Sequence, residues 1–268
     1  MNEATTYQAV RIGDIADWRL ICTISTSGMN AYLKHVNPTE EIVTLFEEKW
    51  PDTADGLLER IENAVYDHPQ VLDDFSSDII LMASRSIWVP TAMVADDEDE
   101  AARLYNQVYS SPEEDILAEE VGEATCLYSL VPGLHSFLRR TFPGARVHSH
   151  LAVMARRFRE RSADMPRIYA DIRQGTVDFV AFDRKNILMA ACHQWNAPED
   201  IQYHIFNIMN VYGLKPNDVQ VSLSGPREIK TNLMRDLRAH LDYVMLTMMP
   251  GIGAKAGMPL PAALMVRN

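Results

Sequence analysis

Apolar and polar residues alternate along Trp18–Ser25, where Trp18, Leu20, Cys22 and Ile24 oppose Arg19, Thr23 and Ser25. Period-two spacing predicts a half-buried strand. Tyr7–Ile12 reads as a short strand ahead of it. Ser27–Gly28 turns the chain into Met29–Val36, where Met29, Ala31 and Leu33 alternate with Asn30, Tyr32 and Lys34, so a hairpin is expected. Pro38–Trp50 opens with Pro and Thr before Glu40–Glu41 and carries Ile42, Leu45 and Phe46 on one helical face, which predicts a helix. A helix at Asp55–Tyr66, a doubly buried strand at Asp78–Ser84, an extended stretch at Ile87–Val94 and a helix at Asp96–Tyr109 follow.

The chain changes character around Ser110–Glu114, where a lobe boundary is expected. Ile116–Val121 and Ala124–Leu130 form a predicted hairpin, Gly133–Phe142 a helix, Arg146–Ser149 a brief strand and His150–Ser162 another helix. Arg167–Trp195 then reads as three consecutive strands, with an Asp-x-x-x-Gly-Thr-x-Asp turn between the first two. Asn196–Tyr212 carries Ile201, Ile205, Ile208, Met209 and Tyr212 on one helical face, with Gly213 supplying a left-handed exit. Asp218–Leu223 is a strand, Arg227–Leu241 a helix and Tyr243–Met248 a last strand. The expected division is a first lobe over 1–114, a second over 115–249 and an irregular tail over 250–268, whose Met248, Met249, Met258 and Met265 sit among Pro and Gly.

Charge and composition narrow the options. The formal net charge of -12 repels phosphate backbones and anionic membranes unless basic residues are locally segregated. One segment is so segregated: Arg139, Arg140, Arg146, Arg156, Arg157, Arg159, Arg161 and Arg167 cluster in an acidic chain. It is a helix-end distribution suited to the dipole, or a docking patch for an acidic protein or RNA. Cys22, Cys126 and Cys192 are widely spaced with no CxxC, which argues against a disulfide framework or zinc knuckle. No uncharged apolar run approaches the ~20 residues needed to span a bilayer. The first residues lack the basic cap and apolar core of a signal peptide. A cytoplasmic location is expected.

Both halves show a hairpin or meander followed by helix, strand and helix, an order that resembles the duplicated ribonuclease-H-like domains of actin, sugar kinases and chaperone ATPase domains. Phe142–Pro143–Gly144–Ala145–Arg146, Val177–Asp178–Phe179–Val180–Ala181–Phe182 and Leu223–Ser224–Gly225 are similar to an uncharacterised bacterial domain family with an actin-like ATPase fold. The resemblance implies a two-lobed α/β fold with mixed sheets. An active member grips phosphates with backbone N–H groups of two turns, and carboxylates at the turn entrances hold the metal. In the first half that turn is expected near Val10–Asp17, with Arg11 in place of the acid. In the second half Asp171, Gly175, Thr176 and Asp178 remain, Arg173 stands where a Gly is expected, and Ser224–Gly225 keeps part of a nucleoside turn.

These residues are the nucleotide-site candidates: Asp171, Arg173, Gly175, Thr176, Asp178, Ser224 and Gly225. No catalytic residue and no resident metal or cofactor is expected, and a protein partner is. ATP with magnesium enters only under the alternative of a divergent ATP-binding enzyme. His148 and His150 share a strand face, where a metal pair is conceivable but no acid or Cys completes a set; His193 and His204 read as structural. The preferred expectation is a degenerate actin-like ATPase fold serving as a binding or scaffold protein.

Overall fold

The structure, a computed structural model, describes residues 15–37, 42–82, 85–94, 98–110, 114–248, 253 and 257–266. The strand expected at Tyr7–Ile12 and the position of Arg11 lie outside them. The fold rests on two five-stranded sheets of identical order. In the first, strands β1 (Trp18–Ser25), β2 (Gly28–His35) and β3 (Val43–Lys49) form an antiparallel meander, and β4 (Ser76–Leu81) and β8 (Arg146–Ser149) extend it in parallel beyond β1. In the second, β9 (Arg167–Ile172), β10 (Thr176–Asp183) and β11 (Asn186–Gln194) repeat the meander, with β12 (Gln220–Ser224) and β13 (Tyr243–Leu246) parallel beyond β9. The duplication expected from element order is therefore carried by strand pairing.

Between β4 and β8 the first half contains a three-stranded sheet, β5 (Ser86–Pro90), β6 (Asp115–Val121) and β7 (Ala124–Leu130), in the order β5-β7-β6. Helix α2 (Glu98–Val108) covers it, with Ala101 and Tyr105 packed on Leu127. Because β8 pairs with β4, the change of sheet falls after Ser149, later than the division expected at 114/115.

The remaining helices close the sheet faces. Helices α1 (Leu57–Asp67) and α3 (Leu134–Thr141) pack on one face of the first sheet, where Leu20, Cys22 and Ile24 share a core with Ile61 and Phe137, and α4 (His150–Arg159) adjoins the other face, where its Val153, Arg156 and Arg157 share a cavity with Arg19 and His148. The same core includes Tyr169, Val180 and Phe182 from the second sheet, so α4 lies between the sheets. The far face of the second sheet is covered by α5 (Pro198–Tyr212) and α6 (Arg227–Leu237), through Ile201, Ile205, Leu233 and Leu237.

Two expectations fail for identifiable reasons. The predicted helix at Pro38–Trp50 is instead the edge strand β3 over its described part. A register shift opposite Ala31/Tyr32 lets the adjacent Leu45 and Phe46 both turn inward, and that bulge imitates helical spacing. The tail is not irregular throughout: Leu260–Met265 forms a short helix, α7. Pro261 sits in its first turn, where its missing N–H costs nothing. Met258, Ala262 and Ala263 cover Ile21, Tyr32 and Ile80 on the first sheet's second face, while Leu260 and Leu264 join the central core.

Leu264 is 2% exposed, so Leu264→Ala should lower stability by about 2–5 kcal/mol in urea denaturation. A loss below about 0.5 kcal/mol would make the tail a peripheral strap.

Candidate functional site

The strand register assembles a polar row at one end of the second sheet. Asp171 on β9 stands opposite Asp178 on β10, which stands opposite Cys192 on β11, and Ser224 on β12 flanks Asp171 from the other side. Aligned residues share a face, so four polar or thiol side chains from four strands converge although the sequence spreads them over more than fifty positions. Asp171 and Asp178 are 3% and 0% exposed. Ser224 Oγ lies 2.7 Å from Asp171 Oδ1 and 3.2 Å from the Ala170 carbonyl.

Asp178 is held by two cationic or polar groups. A terminal guanidinium nitrogen of Arg173 donates to its Oδ1 at 2.8 Å and lies 3.8 Å from Cys192 Sγ. His150, the first residue of α4, brings Nε2 to 3.1 Å from the same oxygen, within ion-pair reach but outside hydrogen-bond alignment. Its Nδ1 lies 3.2 Å from the Leu81 carbonyl at the end of β4. His150 therefore spans from the first sheet to the second and is fully buried in doing so.

These contacts split the two carboxyls. Burial alone would raise Asp178, but the His150 imidazole and the Arg173 guanidinium outweigh it and hold the group well below the usual carboxylate range. Burial, followed by the charge of Asp178, pushes Asp171 from 3.8 up to about 6. The pattern is the one expected when neighbouring acids cannot both ionise freely. Burial likewise pushes the Cys192 thiol to about 12, so it is no ready nucleophile.

Identical sheet order fixes the counterpart in the first lobe. The turn equivalent to Arg173–Gly175 joins β1 to β2 at Thr26–Ser27, and not at Val10–Asp17 as the sequence suggested; Ile15–Asp17 is a 3-10 turn ahead of β1. Sheet face and register then match Asp171, Asp178 and Ser224 with Thr23, Asn30 and Ile80. Thr23 and Ile80 are buried, and Asn30 Nδ2 donates to Thr23 Oγ1 at 3.2 Å. The first-lobe turn is rich in hydroxyls, a feature sequence reading missed, yet they bond locally. Ser25 Oγ lies 3.0 Å from the Gly28 carbonyl and 3.2 Å from Ser27 Oγ, and Thr26 bonds Asp52.

The glycines answer to backbone geometry. Gly175 has φ +71° with open space around its missing side chain, so the turn needs only its left-handed conformation. Gly225 has φ +115°, and a Cβ there would meet the Ile172 carbonyl at 2.3 Å, so close packing on β9 accounts for it. In the β9–β10 turn the Arg173 N–H donates to the Thr176 carbonyl at 2.8 Å, and Trp195 Nε1 lies 2.9 Å and 3.0 Å from the Arg173 and Thr176 carbonyls.

The other candidates separate. His148 and His150 do not share a partner set: His148 lies between Asp78 and Glu119, whereas His150 reaches Asp178. His193 and His204 stack at 4.3 Å beside Phe179. Among the described residues no group of three or more His, Cys, Asp or Glu is placed to hold a metal. Within the Arg-rich segment, Arg159 bonds the Lys185 carbonyl and Arg167 pairs with Asp164. No helix among the described residues is long and apolar enough to cross a membrane.

Comparison with known proteins agrees with this architecture. The family model described as "Protein of unknown function (DUF3822)" matches residues 8–244. A crystal structure from Bacteroides thetaiotaomicron VPI-5482, of a protein with actin-like ATPase fold and unknown function, superposes with a TM-score of 0.81 at 16% identity, covering 97% of this chain and 100% of that one. A PilM–PilN type IV pilus biogenesis complex contains a chain similar at TM-score 0.53 and 13% identity, covering 92% of this chain and 96% of that one. No curated protein matches the sequence. The fold is the two-lobed actin-like ATPase fold, in which the polar row belongs to the second lobe.

Two measurements check this reading of the site. Gly225→Ala should cost well over 2 kcal/mol, because backbone meets the new methyl, whereas Gly175→Ala should cost about 1 kcal/mol from its dihedral alone. Equal losses would refute the close-packing role. Asp171 supplies a pH test. An acid whose folded pKa is raised binds more protons folded than unfolded, so its contribution falls as pH rises from 3.8 through about 6. Asp171→Asn should remove that fall, gaining stability relative to wild type at pH 7 but not at pH 4. Parallel pH curves for the two proteins would contradict the assignment.

Proposed function

The chain belongs to the DUF3822 family of proteins of unknown function, and we propose that it is a non-catalytic binding or scaffold protein, cytoplasmic and acting through a protein partner. The observation that carries this is the occupation of Asp178 by Arg173 and His150, while the matching first-lobe positions hold the uncharged Thr23, Asn30 and Ile80. Phosphoryl transfer relies on metal-held phosphates and positioned charge. Here a divalent cation would compete with a guanidinium and an imidazole for one carboxylate, and burial beside Asp178 makes ionising Asp171 costly. The first lobe brings no acid to the matching positions. Magnesium-ATP does not fit these residues.

Cavities of about 570, 350 and 360 Å³ lie elsewhere and none is lined by the candidate residues. The free Cys22, Cys126 and Cys192 suit a reducing compartment. A similarly folded chain in the PilM–PilN complex is joined to a protein, which supports a partner of that class for this chain.

Calorimetric titration with magnesium-ATP tests the proposal. At millimolar nucleotide no heat should depend on Asp171. Micromolar binding that disappears in Asp171→Ala would overturn the proposal and establish a divergent ATP-binding enzyme built on Asp171, Gly175, Thr176, Asp178, Ser224 and Gly225.

A further inference from the structure

The first sheet has a second polar cluster at its opposite end. Strands β1, β4 and β8 are parallel, so Arg19, Asp78 and Arg146, all near their starts, lie far from the Thr26–Ser27 turn and from His150. Helix α4 runs back from His150 and brings Arg156 and Arg157 to that end. A cavity of about 350 Å³ opens there, lined by Arg19, Arg146, His148, Arg156 and Arg157 with Val153 and Met265. Among these lining residues none is acidic, although the chain as a whole carries a net charge of -12.

The carboxylates that organise the cluster sit behind it. Asp78, with no exposed surface, pairs with Arg19 and lies 3.0 Å from Arg146 Nε in a second ion pair. Glu119 accepts from Arg156 at 2.8 Å, and its second oxygen takes the Ser149 N–H at 3.0 Å. His148 is clamped between them, with Nδ1 2.7 Å from Glu119 and Nε2 3.3 Å from Asp78. Burial disfavours its charge, but the two carboxylates outweigh burial and raise its pKa. Three guanidiniums are thus anchored at their rear by buried or nearly buried acids, while Arg146 and Arg156 remain 59% and 44% exposed.

Helix-end electrostatics would account for Arg156 and Arg157, which sit in the last turn of α4. They do not account for Arg19 and Arg146, which arrive from two strands and face the same cavity. We infer that this cavity is a binding site for a phosphorylated small molecule, with the phosphate against the arginines and a small apolar body against Val153 and Met265. Guanidinium forks pre-set by rear carboxylates suit a phosphate dianion, because their geometry is settled before the ligand arrives. The volume is at the small end of ligand sites, enough for a phosphomonoester of modest size. This inference is independent of the closed interlobe site and survives or fails separately.

Phenyl phosphate, titrated calorimetrically at low ionic strength, is the probe. Binding should weaken about tenfold or more in Arg146→Gln and in Arg156→Gln. Both side chains are substantially exposed, and circular dichroism checks that each variant folds. Arg235→Gln, a surface control 73% exposed, should bind as wild type does. Benzoate should bind more weakly than phenyl phosphate. Nucleotide heat lost in Arg146→Gln but retained in Asp171→Ala would likewise place phosphate here. Absence of binding at millimolar phenyl phosphate, undiminished binding in an Arg146→Gln/Arg156→Gln double variant, or equal binding of benzoate would overturn the inference.

Discussion

A single buried carboxylate joins the parts of this molecule. Asp178 has no exposed surface, and an ionised acid in that setting costs several kcal/mol unless it is paired. Its partners come from two directions. Arg173 belongs to the turn beside it, so the pairing fixes how that turn folds over the sheet end. His150 belongs to α4 and lies within reach of both Asp178 and the β4 carbonyl of Leu81, so the same acid ties the second sheet to the interlobe helix and the first sheet. Satisfaction is incomplete: Asp178 Oδ2, His150 Nε2 and Arg173 Nε have no aligned hydrogen-bond partner. Such a cluster is a weak source of stability and a strong constraint on geometry, since removing one member strands the others.

The two lobes share one topology and differ in what they put at corresponding places. At matching positions of the two sheets, the second lobe has Asp171, Asp178 and Ser224, and the first has Thr23, Asn30 and Ile80. The first lobe instead carries its buried acid, Asp78, near the beginning of β4, among residues from β1 and β8. Duplication supplies equivalent backbone positions, and side-chain chemistry at each can then diverge without disturbing strand pairing. The added β5-β7-β6 sheet deepens that asymmetry, because its Glu119 reaches over to His148 and Arg156.

Much of this architecture was legible in local pattern. β1 and β2 were marked by alternation and the β9–β11 meander by consecutive extended runs, although burial reaches both faces of β1 and β10. Helix α5 follows its apolar stripe and Gly213. Legibility ended where tertiary contact overrides local pattern. Leu45 and Phe46 looked helical because a bulge buries neighbours, and Leu260–Met265 looked irregular because only contact with Ile21, Tyr32 and Ile80 makes its small apolar face useful. The candidate site was half legible. Asp171, Arg173 and Asp178 stand out in sequence, but their relation to Cys192 and Ser224 exists only through register. The first-lobe counterpart could not be found by searching for acids, since Thr23, Asn30 and Ile80 carry none and come together only through register. His150 left one usable trace: an ionisable residue directly before the apolar run Leu151–Ala155, all of it buried.

The arginines show why composition by segment is a poor guide to a surface. Eight of them crowd the sequence between Arg139 and Arg167, yet the fold sends them to different tasks. Arg159 bonds the Lys185 carbonyl, Arg167 pairs with Asp164, and Arg139 lines the cavity beside α3. Arg146, Arg156 and Arg157 meet Arg19, which comes from the other end of the sequence. The same principle separates the two ends of the first sheet. Where α4 begins, cationic and acidic groups are buried against one another and their charge is spent internally. Where α4 ends, the acids lie behind and the guanidiniums face a cavity. An arginine closes a site when its carboxylate lies in front of it, and opens one when the carboxylate lies at its back.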